Sequence, residues 1–109
     1  MLPTPFAEAV LDVIEAIPPG RVVTYGDIAE YLGTGGPRTV GTVLARYGSG
    51  VPWWRVIRAD RSLLPGHEAK ALAHYRAEGT PMSRSGDRVD MTRARWTGWS
   101  ELPPMRVQN

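Results

Sequence analysis

The sequence predicts a single, mostly α-helical domain with a short β element and a candidate helix-turn-helix. Apolar residues recur at helical spacing in several separate segments, and glycine and proline separate these segments. One short β-branched run lies between the first two helical segments. With 109 residues, the chain is long enough for one hydrophobic core and short for two.

The first helix and the β-branched run are predicted by local signals. Thr4 followed by Pro5 is a favourable helix start, and Pro18-Pro19-Gly20 ends the helix. The residues expected to face the core are Phe6, Val10, Val13, Ile14 and Ile17. The run Arg-Val-Val at 21–23 then supplies the short β element.

The second and third helices form a candidate helix-turn-helix. Thr24 is the predicted N-cap of a helix that runs to about Leu32, and Pro37 opens a third helix that ends at Gly48. The glycine-rich turn between them completes the motif. The outward face of the third helix is small, hydroxylic and basic: Arg38, Thr39, Gly41, Thr42, Ala45 and Arg46. Such a face can approach a DNA groove closely, although an ordinary solvated helix face has a similar composition.

Beyond the third helix, residues 51–59 are predicted to be extended and residues 65–78 to form a fourth helix. Neighbouring side chains alternate on an extended backbone, so Trp53 and Trp54 are expected on opposite faces. His67 and His74 are interpreted as surface or helix-end histidines. The domain is expected over residues 1–82, with residues 83–109 as a partly ordered C-terminal extension.

The composition excludes several functional classes. No apolar run approaches the roughly 18–20 residues of a membrane span, and no secretory signal is expected. The chain has no cysteine, which leaves no disulfide, no thiolate nucleophile and no cysteine-ligated metal. We expect no cofactor, no bound metal and a cytoplasmic location, nucleoid-associated if the source is bacterial.

The basic residues are nearly all arginine. The formal charge is +2, and Lys70 is the one lysine among 13 basic residues. Arginine binds phosphates and guanine edges in a bidentate manner, but a GC-rich genome also favours arginine codons. Charge alone therefore leaves nucleic-acid binding open.

Three stretches together resemble the DNA-binding domain of the O6-alkylguanine-DNA alkyltransferase family: GRVVTYGDIAEYLG, GPRTVGTVLAR and VPWWRVIRADRSLLPGHEAKALAHYRAEG. The resemblance covers roughly residues 4–82. Pro52-Trp53-Trp54-Arg55-Val56 matches four of the five positions of Pro-Trp-His-Arg-Val, the signature of alkyltransferase-like proteins. In those proteins tryptophan replaces the cysteine that accepts the alkyl group in the enzymes. The resemblance implies a winged helix-turn-helix DNA-binding fold like the C-terminal domain of the transferases, and no enzymatic activity.

The resemblance also implies roles for individual residues. Tyr25 would press on the phosphate of the target nucleotide, and Arg38 would enter the duplex in place of the flipped base. Thr39, Gly41 and Thr42 would lie along the minor groove, and Arg46 would contact the DNA backbone. The implied lesion pocket consists of Tyr25, Trp53, Trp54, Arg55, Val56, Leu63, Leu64 and Gly66. Glu78 lies near the family glutamate that completes a relay from histidine to cysteine in the enzymes.

The implied function is non-enzymatic binding of O6-alkylguanine in double-stranded DNA, with base flipping, to mark the lesion for nucleotide excision repair. The implied partners are damaged DNA and excision-repair proteins, with no membrane and a monomeric state. Trp54 departs from the signature histidine, and Leu63 and Leu64 depart from a tyrosine-serine-glycine pattern, so the shape of the pocket stays open. Two alternatives follow. One is a winged-helix regulator whose cavity Trp54 fills, and the other is a protein-interaction module that has lost DNA binding.

Overall fold

The computed structural model describes residues 3–102 and confirms a mostly helical fold with a small sheet. The elements in chain order are α1 (Pro5–Ala16), β1 (Val23–Thr24), α2 (Tyr25–Leu32), α3 (Pro37–Tyr47), β2 (Val56–Ile57), α4 (Glu68–Glu78) and α5 (Met91–Ala94). Short 3-10 turns occur at Gly48–Gly50, Trp53–Arg55 and Gly98–Glu101. Within the described residues, no helix combines the length and the apolar character needed to cross a membrane.

The helices begin and end where the sequence supplies caps. Thr4 Oγ1 accepts the N–H of Ala7 at 3.1 Å at the start of α1. At the start of α2, the Thr24 and Asp27 side chains each accept the other residue's backbone N–H at 3.0 Å, which makes a capping box. Gly33 ends α2 in the left-handed region, with φ of 72°. Because these signals are local, the helix-turn-helix pair α2–α3 has nearly the predicted bounds.

The two strands are parallel, and their register brings two distant parts of the chain together. Val23 pairs with Val56, and Thr24 pairs with Ile57. The carboxyl ends of parallel strands lie at the same edge of a sheet. Tyr25 and Arg58, the residues that follow the two strands, therefore leave the sheet side by side.

Two clusters of buried residues form the core on either side of this sheet. The first lies under α1, α2 and α3 and includes Ile14, Ile28 and Val40, all completely buried. The second lies between β2, α4 and α5 and is built around Tyr75, which is 1% exposed. Since β1 contributes Val23 to the first cluster and Val22 precedes it in the second, the sheet joins the two.

Residues 83–102 belong to the same core as the preceding residues, so the packing shows no boundary at residue 82. The N–H of Val22 donates to Ala94 O at 3.0 Å, and the N–H of Trp96 donates to Val22 O at 2.9 Å. Met91 and Ala94 are buried in the second cluster, and Trp96 is buried in the first. Residues 83–102 are thus an integral part of the domain and not an appended extension, which corrects the sequence-based division. Residues 103–109 of that expected extension lie outside the described residues.

Candidate nucleic-acid interface

A cavity of about 450 Å³ opens between α3, the Trp53–Arg55 turn, the loop after β2 and the start of α4. Its volume lies in the range of roughly 300–1,000 Å³ that is typical of small-molecule sites. Six of the expected pocket residues line it: Tyr25, Trp53, Trp54, Val56, Leu63 and Leu64. The cavity is open, so Trp54 forms part of its wall and does not fill it.

The two tryptophans lie on a 3-10 turn and not on an extended strand, which corrects the predicted conformation. The N–H of Arg55 donates to Pro52 O at 3.0 Å, and extended strand geometry begins only at Val56. In a 3-10 helix successive side chains are about 120° apart, so neighbouring side chains can face a common space. The Trp53 and Trp54 rings meet edge to face with centroids 5.6 Å apart, and both line the cavity. The expectation that they occupy opposite faces was therefore wrong.

Trp54 is fixed in place by three contacts. Its indole N–H donates to Glu78 Oε2 at 2.8 Å. Its ring stacks on His74, with centroids 3.5 Å apart and an interplanar angle of 2°. Its carbonyl oxygen accepts the hydroxyl of Tyr75 at 2.6 Å. These contacts anchor the cavity wall beside Trp53 to α4.

Arg55 belongs to a structural clamp and not to the cavity wall, contrary to its predicted role. Its guanidinium makes a bidentate pair with Glu78, with Nε–Oε1 at 3.1 Å and Nη2–Oε2 at 2.7 Å. Nη1 also donates to Ile17 O at 2.9 Å, at the end of α1. The Arg55 and Glu78 side chains are 13% and 12% exposed. The clamp thus connects the tryptophan turn to α1 and α4.

Glu78 accepts hydrogen bonds from three residues in two parts of the chain, because the backbone N–H of Gly20 also donates to its Oε1 at 3.1 Å. Burial acts to raise the pKa of the Glu78 carboxyl. The hydrogen bonds from Arg55, Gly20 and Trp54, with the charge of Arg55, outweigh that effect and hold the pKa below its ordinary value. Glu78 is therefore an ionised acceptor.

The loop after β2 contributes two leucines to the cavity wall, but its glycine is not part of that wall. Leu63 and Leu64 line the cavity, whereas Gly66, another predicted pocket residue, lies outside the lining in an exposed turn with φ of 82°. Tyr25 also lines the cavity, and burial raises the pKa of its hydroxyl. The Tyr25 phenol is consequently neutral at physiological pH and can donate a hydrogen bond.

The predicted DNA-contacting residues lie on the outer face of α3, next to the cavity. Arg38, Thr39, Thr42 and Arg46 are exposed, and Gly41 lines the edge of the cavity. Thr39 Oγ1 is hydrogen-bonded to the N–H and carbonyl of Gly36, and Thr42 Oγ1 donates to Arg38 O at 3.0 Å. The two threonine hydroxyls thus have backbone partners within the helix, and the arginines extend from its surface.

The cavity also contains residues that sequence reasoning missed. Arg58, His67 and Lys70 line it, and none of them was assigned to the pocket. Pairing of β1 with β2 is the signal that could have identified Arg58, because parallel strands align the residues that follow them. His67 is exposed as expected, but the ring of His74 is half-buried against both tryptophans.

Over residues 3–102, no group of three or more histidine, aspartate or glutamate side chains is arranged to hold a metal ion. Near the tryptophans, Glu78 is hydrogen-bonded to Trp54 and Arg55, and His74 is stacked on Trp54. The arrangement offers an apolar, aromatic wall and a basic helix face. These are the elements of a binding site.

Comparison with known proteins identifies bacterial relatives of this chain. Proteins called DNA base-flipping protein from Escherichia coli (strain K12) and Vibrio parahaemolyticus are 38% and 34% identical over 96 residues. Each alignment covers 84% of this chain, with 74% of the E. coli protein and 95% of the V. parahaemolyticus protein.

Solved structures show the same relationship at the level of the fold. S. pombe Atl1 in complex with damaged DNA containing O6-carboxymethylguanine superposes with a TM-score of 0.73 and 27% identity. The match covers 89% of this chain and 99% of Atl1. In sequence, residues 5–80 match the family described as 6-O-methylguanine DNA methyltransferase, DNA binding domain. The chain belongs to this family.

Proposed function

We propose that this protein binds O6-alkylguanine in double-stranded DNA without repairing it, by flipping the modified base into the cavity beside Trp53. The observation that carries the proposal is the open cavity of about 450 Å³ directly beside the exposed, basic face of α3. The helix face that would enter a DNA groove and the pocket that would hold an extruded base are thus adjacent. The names of the E. coli relative and of the S. pombe complex support base flipping and binding of damaged DNA.

The energetics favour recognition of a weakened base pair. Extruding a base costs a few kcal/mol, and the cost is smallest where damage has weakened pairing. Contact between a base and an aromatic ring contributes about 1–3 kcal/mol, which Trp53 can supply on the cavity wall. Arg38, at the exposed start of α3, would occupy the space that the base leaves.

The chemistry of the cavity supports binding without alkyl transfer. Transfer requires a soft nucleophile such as a thiolate, and the chain contains no cysteine. Trp53 and Trp54 stand in the signature where the transferases carry cysteine and histidine. An indole is a far weaker nucleophile than a thiolate and is not a base at neutral pH, so the alkyl group would stay on the DNA and the protein would mark it.

The central test compares the affinity for a duplex that contains O6-methylguanine with that for the same duplex containing guanine. We expect clearly tighter binding to the modified duplex. Equal affinities would argue for the regulator alternative, and binding that is absent or independent of salt would argue for the protein-interaction module.

Arg38→Ala should weaken binding to the modified duplex by more than tenfold, because it removes the side chain that replaces the flipped base. Arg84→Ala is the matched control, since Arg84 is exposed on a loop away from the cavity. The dissociation constants of both variants can be measured by fluorescence anisotropy. Similar losses for the two would contradict a role for Arg38 inside the duplex.

The family resemblance extends the proposal to a monomer that hands the lesion to nucleotide excision repair. A marker of this kind should form a ternary complex with lesion DNA and excision-repair proteins. Size-exclusion chromatography with light scattering tests both parts. A ternary complex that forms equally well on undamaged DNA would contradict the marking role.

A further inference from the structure

We propose that the cavity selects O6 substituents that carry a negative charge, such as a carboxyalkyl group, over neutral substituents of the same size. This inference rests on the proposed function, because it concerns a base held in the same cavity. Its basis is the sign of the charges on the cavity wall. Among the described residues, the charged side chains that line the cavity are Arg58 and Lys70, and no carboxylate lines it.

Arg58 lies at the sheet edge of the cavity, next to Tyr25. The pairing of Thr24 with Ile57 places the two following residues side by side. Burial raises the pKa of the Tyr25 hydroxyl, and the positive charge of Arg58 acts in the opposite direction. The charge of Arg58 therefore acts on groups in the cavity wall.

Lys70 lies on another wall, in the first turn of α4. His67, Lys70 and Ala71 all line the cavity, so the amino-terminal end of this 11-residue helix faces it. The partial positive charge at a helix amino terminus adds to that of Lys70. Positive potential thus reaches the cavity from two separate elements.

The acidic residues nearby do not line the cavity. The Asp60 carboxylate accepts the N–H and the hydroxyl of Ser62, at 2.9 Å and 2.6 Å. These two hydrogen bonds are the main reason that the pKa of Asp60 is lowered, and the charge of Arg58 makes a smaller contribution. Glu68 is exposed in the first turn of α4, and Glu78 is occupied by its donors from Arg55 and Trp54. These carboxylates weaken the positive potential of the region, but within the described residues none of them lines the cavity, whereas Arg58 and Lys70 do.

A carboxylate on the O6 substituent is ionised at neutral pH, so it gains from this potential, whereas an amide or an alkyl group does not. Arg58 and Lys70 are both exposed, so each contributes modestly, and we expect a selectivity of about three- to tenfold. Cations that contact only DNA phosphates would instead increase affinity for every duplex alike.

The experiment compares duplexes that contain O6-carboxymethylguanine and its neutral isostere O6-carbamoylmethylguanine, at one fixed salt concentration, with the full chain. We expect the wild type to prefer the acid. The double variant R58Q/K70Q should lower this ratio to about one, and R84Q should leave it unchanged. A ratio near one for the wild type overturns the proposal. A ratio that survives in the double variant also overturns it.

Duplexes with O6-methylguanine and guanine are measured in parallel, so that failure of the charge selectivity can be distinguished from failure of the proposed function. If the protein discriminates methylated from unmodified guanine but not acid from amide, only the charge selectivity fails. If it does not discriminate methylated from unmodified guanine, the proposed function itself fails. A uniform loss on all duplexes in the double variant would assign Arg58 and Lys70 to phosphate contacts.

Discussion

At the scale of the residue, Trp54 shows how a donor-only side chain can fix a position without offering proton transfer. Its indole N–H donates to Glu78 Oε2 at 2.8 Å. An indole N–H is a donor only, so this pair can hold a position but cannot pass a proton. The sequence does not predict the conformation, because valine, isoleucine and tryptophan all favour strands and packing against His74 is not visible in it.

Trp54→Phe should lower the free energy of unfolding by about 1–2 kcal/mol, because Glu78 loses one of its donors. Trp54→His is the matched variant, since an imidazole can donate to the carboxylate again and should lose less. Urea denaturation followed by circular dichroism measures both. A phenylalanine variant that is as stable as the histidine variant would show that the stack on His74, and not the hydrogen bond, fixes this ring.

Glu78→Gln should destabilise the fold by about 3 kcal/mol at neutral pH, because Arg55 loses its charged partner in a largely buried place. The folded-state pKa of Glu78 is held below its ordinary value of 4.5. Its stabilising contribution is therefore complete above that pH and is lost as the pH falls through the lower folded-state pKa.

The difference in unfolding free energy between wild type and Glu78→Gln should consequently shrink below pH 4.5. Denaturant titrations at several pH values measure it. Glu68→Gln, on the exposed start of the same helix, should change stability little at any pH. A difference for Glu78→Gln that stays constant into the acid range would contradict the lowered pKa.

At the scale of the element, the bounds of α3 could be predicted from the sequence, but its mid-helix glycine is not explained by packing within the protein. Its bounds follow from Pro37 and the glycines on either side, so the sequence was sufficient. Gly41 lies in mid-helix, where glycine costs about 1 kcal/mol relative to alanine. A Cβ at this position would meet open space, so internal packing does not require the glycine.

Gly41→Ala should therefore raise the free energy of unfolding by about 0.5–1 kcal/mol while weakening DNA binding, because the added methyl group lies where the groove would approach. Thermal unfolding and duplex binding are measured on the same preparation. A variant that is more stable and binds equally well would move the DNA contact away from this face of α3.

At the scale of the whole molecule, the C-terminal segment completes both core clusters, which the sequence did not predict. Pattern-based prediction depends on neighbours along the chain, whereas the bonds of Val22 with Ala94 and Trp96 join remote segments. The segment also ends in short, irregular elements with little periodicity. The same limitation hid Arg58, whose position depends on the pairing of β1 with β2.

Trp96→Ala should destabilise the domain by about 3–5 kcal/mol, since Trp96 is 8% exposed within the first core cluster. A loss of that size is a large part of the 5–15 kcal/mol typical of a small domain. Thr97→Ala, at the exposed neighbouring position, should stay within about 0.5 kcal/mol. Equal unfolding midpoints for the two variants would mean that residues 83–102 do not support the core.

The four tryptophans of the chain fall into two separate pairs, which has a practical consequence. Trp53 and Trp54 border the cavity, while Trp96 and Trp99 lie together, with Trp99 stacked on Tyr31 at 5.0 Å. Replacing the second pair with phenylalanine leaves emission from the cavity alone, and replacing the first leaves emission from the C-terminal pair alone. The molecule thus contains its own two optical reporters, one for occupancy of the cavity and one for the integrity of the fold.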